Sequence, residues 1–136
     1  MDLPNFVDLG ILLVDDSVDA IEPLAQLLQA TGAEVRTAAS SRAALAVLEG
    51  WTPDVVVTDI GMPEQDGYAF TLRVRQLPGT VSRVPIIALT AFDSDEHRAR
   101  SLLGGFHMHL RKPVDTALLF RAIGLLTARA EGTPRA

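Results

Sequence analysis

The chain has 136 residues, a formal net charge of −5, 48% hydrophobic and 21% charged residues, and no cysteine. The length predicts one core with a radius of gyration of roughly 14 Å and no room for an appended DNA-binding or kinase module, so output is expected to pass through the surface. The lack of cysteine excludes disulfide frameworks, zinc ribbons and thiol nucleophiles and points to a cytoplasmic compartment; residues 1–10 have two Asp and no Lys or Arg, unlike a signal peptide, and the longest apolar runs fall far short of the ~18 residues a membrane span needs.

Short runs rich in Val, Ile and Leu alternate with segments of helical period, a pattern that predicts an α/β fold with a parallel sheet covered on both faces. The first strand is residues 11–14, apolar throughout and ending in Asp15 and Asp16. Ile21, Leu24, Ala25 and Leu28 then form one helical face that stops near Gly32, and Pro23 implies either a late start capped by Asp19 or a bent first turn. Residues 34–38 read as a partly exposed second strand, and Ser40 or Ser41 caps a helix through Ala44, Leu45 and Leu48 to Gly50. Residues 54–58 form the third strand and deliver Asp59 at its carboxyl end. A loop at 60–67 precedes a helix with Phe70, Val74 and Leu77 on one side, and a second loop spans 78–83. The fourth strand, 84–89, delivers Thr90. Residues 94–104 read as a helix with a thin apolar stripe, and 106–110 as a short fifth strand ending at Lys112 and Pro113. Asp115 caps a last helix whose Leu119, Ala122, Ile123 and Leu126 face the core.

In open parallel sheets the active groups gather at the carboxyl ends of the strands. That rule brings Asp15, Asp16, Asp59, Thr90 and Lys112 to one rim: three acids, a hydroxyl and an amine. Packed carboxylates repel at neutral pH, and a hard divalent cation with oxygen ligands relieves them, Mg2+ being the natural candidate. A carboxylate beside Mg2+ is also a plausible nucleophile toward phosphorus, giving an acyl phosphate. Each residue taken singly has a plainer reading. An acidic pair can simply cap a helix, a lysine can be a solvated surface group, and a strand-end threonine can satisfy itself on backbone; their joint occurrence at strand termini favours chemistry. His107 and His109, at i and i+2, lack a third ligand or a Cys and read as surface or switch-region side chains rather than a metal site. Arg98, Arg100 and Arg111 read as a solvated basic face.

The ordered motifs Ile-Leu-Leu-Val-Asp15-Asp16, Pro53-Asp54-Val-Val-Val-Thr-Asp59 with Met62-Pro63 and Asp66-Gly67, Ile-Ala-Leu-Thr90-Ala91 and Lys112-Pro113 resemble the receiver domain of two-component response regulators, from about residue 10 to 126. The resemblance implies a flavodoxin-like doubly wound (βα)5 sandwich with strand order 2-1-3-4-5. It also implies residues 1–9 as an N-terminal extension, 10–128 as the receiver domain and 129–136 as a flexible tail. Carried over by position, Asp59 is the phosphoacceptor, and Asp16, Asp59 and the backbone carbonyl of Gly61 hold Mg2+, with Asp15 helping directly or through water. Thr90 and Lys112 contact the phosphoryl oxygens, Ala91 leaves access, and the Lys112-Pro113 bond is cis. His109 stands where the family more often has Tyr or Phe as a rotating switch residue, and residues 105–115 look more like receivers attached to hybrid histidine kinases. Gly61 and Phe92 occupy the variable positions flanking the site.

The function implied is a phosphorelay module: it takes a phosphoryl group from a histidine kinase or histidine phosphotransfer protein and changes the face made by its fourth predicted helix, fifth strand and last helix. Thr90 and His109 would be the mobile elements. No direct nucleic-acid or membrane partner is expected, and a homodimer is a possible state. Two other classes compete. Metal-dependent aspartyl-phosphate phosphatases or phosphotransferases place an acid-base Asp two residues after the nucleophile, where this chain has Gly61. A pseudo-receiver that only binds proteins has no need to keep Asp16, Asp59, Thr90 and Lys112 together.

Overall fold

Alternation along each strand decides which side of a sheet its residues cover, and here both sides are apolar. The computed structural model describes residues 3–60, 67–90 and 106–127; the predicted helix at 94–104 and tail at 129–136 lie outside the described residues. Five strands, β1 (Gly10–Val14), β2 (Glu34–Ala38), β3 (Val55–Asp59), β4 (Ile86–Thr90) and β5 (Met108–Arg111), form one sheet in the order β2-β1-β3-β4-β5. All four pairings are parallel. The expected flavodoxin-like α/β architecture and strand order are thus present. β1, β3 and β4 have neighbours on both edges and are buried throughout, whereas the edge strands β2 and β5 are partly exposed.

One set of alternate residues, Ile11, Leu13, Val55, Val57, Ile87 and Leu89, packs against Ile21, Ala25 and Leu28 of α1 (Val18–Ala30) and against Leu119 and Ile123 of the last helix (Thr116–Leu126). The other set, Leu12, Val14, Val56, Ile86 and Ala88, packs against Ala44 and Leu48 of α2 (Ser41–Gly50) and Phe70 and Val74 of α3 (Gly67–Arg75). The segment ahead of β1 joins the first layer. Phe6 and Leu9 are buried there, Phe6 stands edge-on to Phe120 at 6.2 Å, and the Phe6 N–H donates to the Thr31 carbonyl.

Several boundaries differ from the expectations. α1 starts at Val18 and its cap is Ser17, whose hydroxyl accepts from the Ala20 N–H, so Asp19 lies in the first turn and is not the cap. Pro23 sits inside this helix at an exposed position, where water can take up the carbonyl left without its donor. Two caps are as expected: Ser40 caps α2, and Asp115 caps the last helix by accepting from the Ala117 and Leu118 N–H groups. The stretch expected as a loop at 78–83 contains a 3-10 turn, Thr80–Arg83. Its carbonyls explain why: the Arg75 guanidinium donates to Ser82 O and Val84 O, at 3.0 and 2.7 Å, and pins the turn to α3. β4 begins two residues later than expected, at Ile86, after Pro85.

Candidate functional site

The strand order reverses between β1 and β3, because the chain leaves β1 for β2 on one side and returns to β3 on the other. A crevice opens at the carboxyl ends of such neighbours. The alternation that faces Ile11 and Leu13 toward α1 carries on to Asp15; Val55 and Val57 carry on to Asp59, and Met108 and Leu110 to Lys112. Three strands therefore deliver their terminal polar groups to the same side.

The Lys112 ammonium lies 3.2 Å from an Asp15 oxygen and 3.4 Å from an Asp59 oxygen. Asp15 and Asp59 are both buried, while Asp16 is exposed. Asp15, Asp16 and Asp59 each offer a carboxylate oxygen, all within 4.8 Å of one another. Among the described residues, three carboxylates against the one ammonium seen to pair with them leave a negative excess, and oxygen-only donors at this spacing fit a hard divalent cation such as Mg2+ better than a soft metal. Gly61, expected to add its carbonyl, lies outside the described residues, as do Ala91 and Phe92.

Neighbouring backbone fixes these groups. The second Asp15 oxygen accepts from the Ser17 N–H at 2.9 Å, so the turn that starts α1 also orients the carboxylate. The Asp15 N–H donates to Ala38 O of β2, and the Lys112 N–H donates to Thr90 O at 2.7 Å, which ties the ends of β4 and β5 together. The Lys112-Pro113 peptide is cis, as expected. Thr90 is buried at the end of β4 on the face that carries Ile86 and Ala88. His109 pairs in register with Ala88, which places it on that same face one strand away.

The sequence reading overlooked three features near these groups. Ser17 could have been found as a serine two residues after an aspartate at a helix start. Thr58, fully buried, donates its hydroxyl to Asp59 O. An apolar groove beside the cluster is lined by Pro23, Leu24, Leu27 and Val114 together with Asp15 and Lys112, and no single stretch of sequence announces it. At the other end of the sheet His107, read from sequence as a surface or switch-region side chain, has a structural place: its Nδ1 lies 3.3 Å from both the Ile86 N and the Arg75 guanidinium, and its main-chain N–H donates to Ile86 O. Burial, and then the Arg75 charge, hold this imidazole below its ordinary range. Among the described residues no histidine joins a potential metal-binding group.

The family model for the response regulator receiver domain matches residues 11–124. An uncharacterized 14.6 kDa protein in the sodA1 3' region of Leptolyngbya boryana is 39% identical over 121 residues, 89% of this chain and 92% of that protein. The sensor histidine kinase RcsC of Salmonella typhimurium is 35% identical over 126 residues, which cover 93% of this chain and only 13% of the kinase. Among solved structures, the signal receiver domain of a signal transduction histidine kinase from Syntrophus aciditrophicus superposes with a TM-score of 0.80 at 30% identity, over 94% of this chain and 98% of that one. Among the described residues, no helix is long and apolar enough to cross a membrane.

Proposed function

The chain belongs to the response regulator receiver domain family and is a phosphoacceptor module of two-component signalling; from that premise we propose that Asp59 is the acceptor, served by Lys112 and Thr90 and by Mg2+ held on Asp15, Asp16, Asp59 and the Gly61 carbonyl. The observation that carries this reading is the meeting of Asp15, Asp59 and Lys112 from three strand ends within ion-pair distance. When bound, Mg2+ neutralises charge on the transferring phosphoryl oxygens.

The donor is a phosphohistidine on a histidine kinase or a histidine phosphotransfer protein. An Asp59 carboxylate oxygen forms the new bond to phosphorus as the phosphorus–nitrogen bond breaks. The imidazole leaves neutral, the proton on its other ring nitrogen balancing the electron pair it takes. Lys112 compensates charge at the acceptor before transfer and pairs with the phosphoryl group after it. Asp15, held by the Ser17 N–H, keeps the ammonium in place.

Output follows from the added charge of about −1.5 to −2. It draws the Thr90 hydroxyl and Lys112 inward, and because these end adjacent, bonded strands, the change passes to β5 and the last helix. His109 shares a sheet face with Thr90 beside the small Ala88, so space opened behind Thr90 is space His109 can enter.

The test is incubation with Mg2+ and acetyl phosphate followed by intact mass. The wild type gains one phosphoryl group and Asp59→Asn gains none; equal labelling of the two overturns the assignment.

A further inference from the structure

Thr58 precedes Asp59 on β3, and strand alternation turns it away from the acidic cluster onto the face that carries Val14, Val56, Ala88 and Phe70. It is fully buried. A hydroxyl in apolar surroundings must find an acceptor. Thr58 finds the main-chain carbonyl of Asp59, 3.0 Å away. The far end of the same peptide unit is held independently, since the Ile60 N–H donates to Leu89 O of β4 at 3.2 Å.

A peptide unit is planar, so holding its oxygen and its N–H fixes its orientation relative to the preceding residue. That residue is Asp59, whose carboxylate must stand between Lys112 and Asp15. We infer that Thr58 is a positioning residue for phosphoryl acceptance: its buried hydroxyl, by holding the Asp59 carbonyl, sets the direction in which the Asp59 side chain leaves β3. This rests on Asp59 being the acceptor. Rates of group transfer fall steeply when a nucleophile is displaced by even an ångström or so, which makes one well-placed hydrogen bond consequential.

Valine has the shape of threonine and suits a face already built from Val14, Val56 and Ala88, so Thr58→Val removes the bond without disturbing the packing. Thr58→Ser keeps the hydroxyl and loses only the methyl group. In the full chain with Mg2+, the rate of phosphorylation is measured against acetyl phosphate concentration. Thr58→Val lowers the limiting rate about tenfold, a hydrogen bond's worth, with half-saturation unchanged, and Thr58→Ser restores most of it. The Asp59 carboxyl carbon resonance of the metal-free protein shifts in Thr58→Val and returns in Thr58→Ser.

Wild-type rate in Thr58→Val overturns the inference, as does a Thr58→Ser rate as low as that of Thr58→Val. Should Thr58→Val fail to fold, Thr58→Ala against Thr58→Ser makes the same comparison: a fast alanine variant overturns the inference and a slow one supports it. A wild type that is never labelled overturns the acceptor reading and this inference with it, whereas a labelled wild type with an equally fast Thr58→Val overturns this inference alone.

Discussion

Lys112 bridges two buried carboxylates with a single ammonium, and removing it takes that shared positive charge away from Asp15 and Asp59. In chelator, Lys112→Ala is expected to lose about 1–3 kcal/mol of stability, and Mg2+ is expected to recover part of that loss because it binds the folded form; urea midpoints with and without Mg2+ measure both. The variant should still accept phosphate from acetyl phosphate, but its free and phosphorylated NMR spectra should differ less than those of the wild type. His107 makes a separate prediction at the opposite end of the sheet. Burial and Arg75 depress its pKa in the folded chain, while the unfolded chain protonates it near its ordinary value of about 6.5. Between those two values the unfolded state binds more protons, so this contribution is fully present above about pH 6.5 and is lost as the pH falls through the lower folded value. Protonation also removes the acceptor that Nδ1 offers to the Ile86 N–H. The drop in urea midpoint between pH 7.5 and 5.5 should therefore be smaller in His107→Gln than in the wild type; an equal drop refutes the role.

Helix starts show how local signals compete. Ser17 and Asp19 are both good caps, and the choice falls to Ser17 because its N–H is already bonded to Asp15, a constraint set by the end of β1 rather than by the helix. Ser17→Ala should cost about 1 kcal/mol as a lost cap, measurable by thermal melting. Where a polar residue closes or follows a strand, as at Asp15, Asp59, Thr90 and Lys112, its place on the rim was legible in sequence, because a run of apolar residues followed by a polar one marks both the strand and its terminus. Thr58 was not, since nothing in a buried threonine's neighbours says which carbonyl its hydroxyl takes. The 3-10 turn at Thr80–Arg83 was hidden for a similar reason: Pro78 and Gly79 announce a break, but the clamp comes from Arg75, seven residues before Ser82.

At the scale of the whole molecule, the two apolar layers divide the labour. The layer of α1 and the last helix backs Asp15, Asp59 and Lys112, and the layer of α2 and α3 backs Thr90 and Thr58. Phosphorylation is expected to change hydrogen exchange within residues 106–127 more than within α2; a response confined to α2 and α3 would count against output through β5 and the last helix. The first layer extends to Phe6, so Phe6→Ala should destabilise the fold by about 3–5 kcal/mol, which a urea titration would show. The opposite end of β1 holds the chain's single tryptophan. Trp51 lies against Gly10, where an added Cβ would come within 2.8 Å of the indole, and the Arg36 guanidinium sits 4.2 Å from the ring centroid. Five residues of strand, about 16 Å, separate that contact from Asp15. The indole is thus an optical gauge of unfolding that is deaf to the signal itself: Mg2+ and phosphate should leave its emission unchanged. Denaturation curves of the free and phosphorylated forms then share one baseline, and the gap between their midpoints reads out how strongly the acyl phosphate is coupled to the fold.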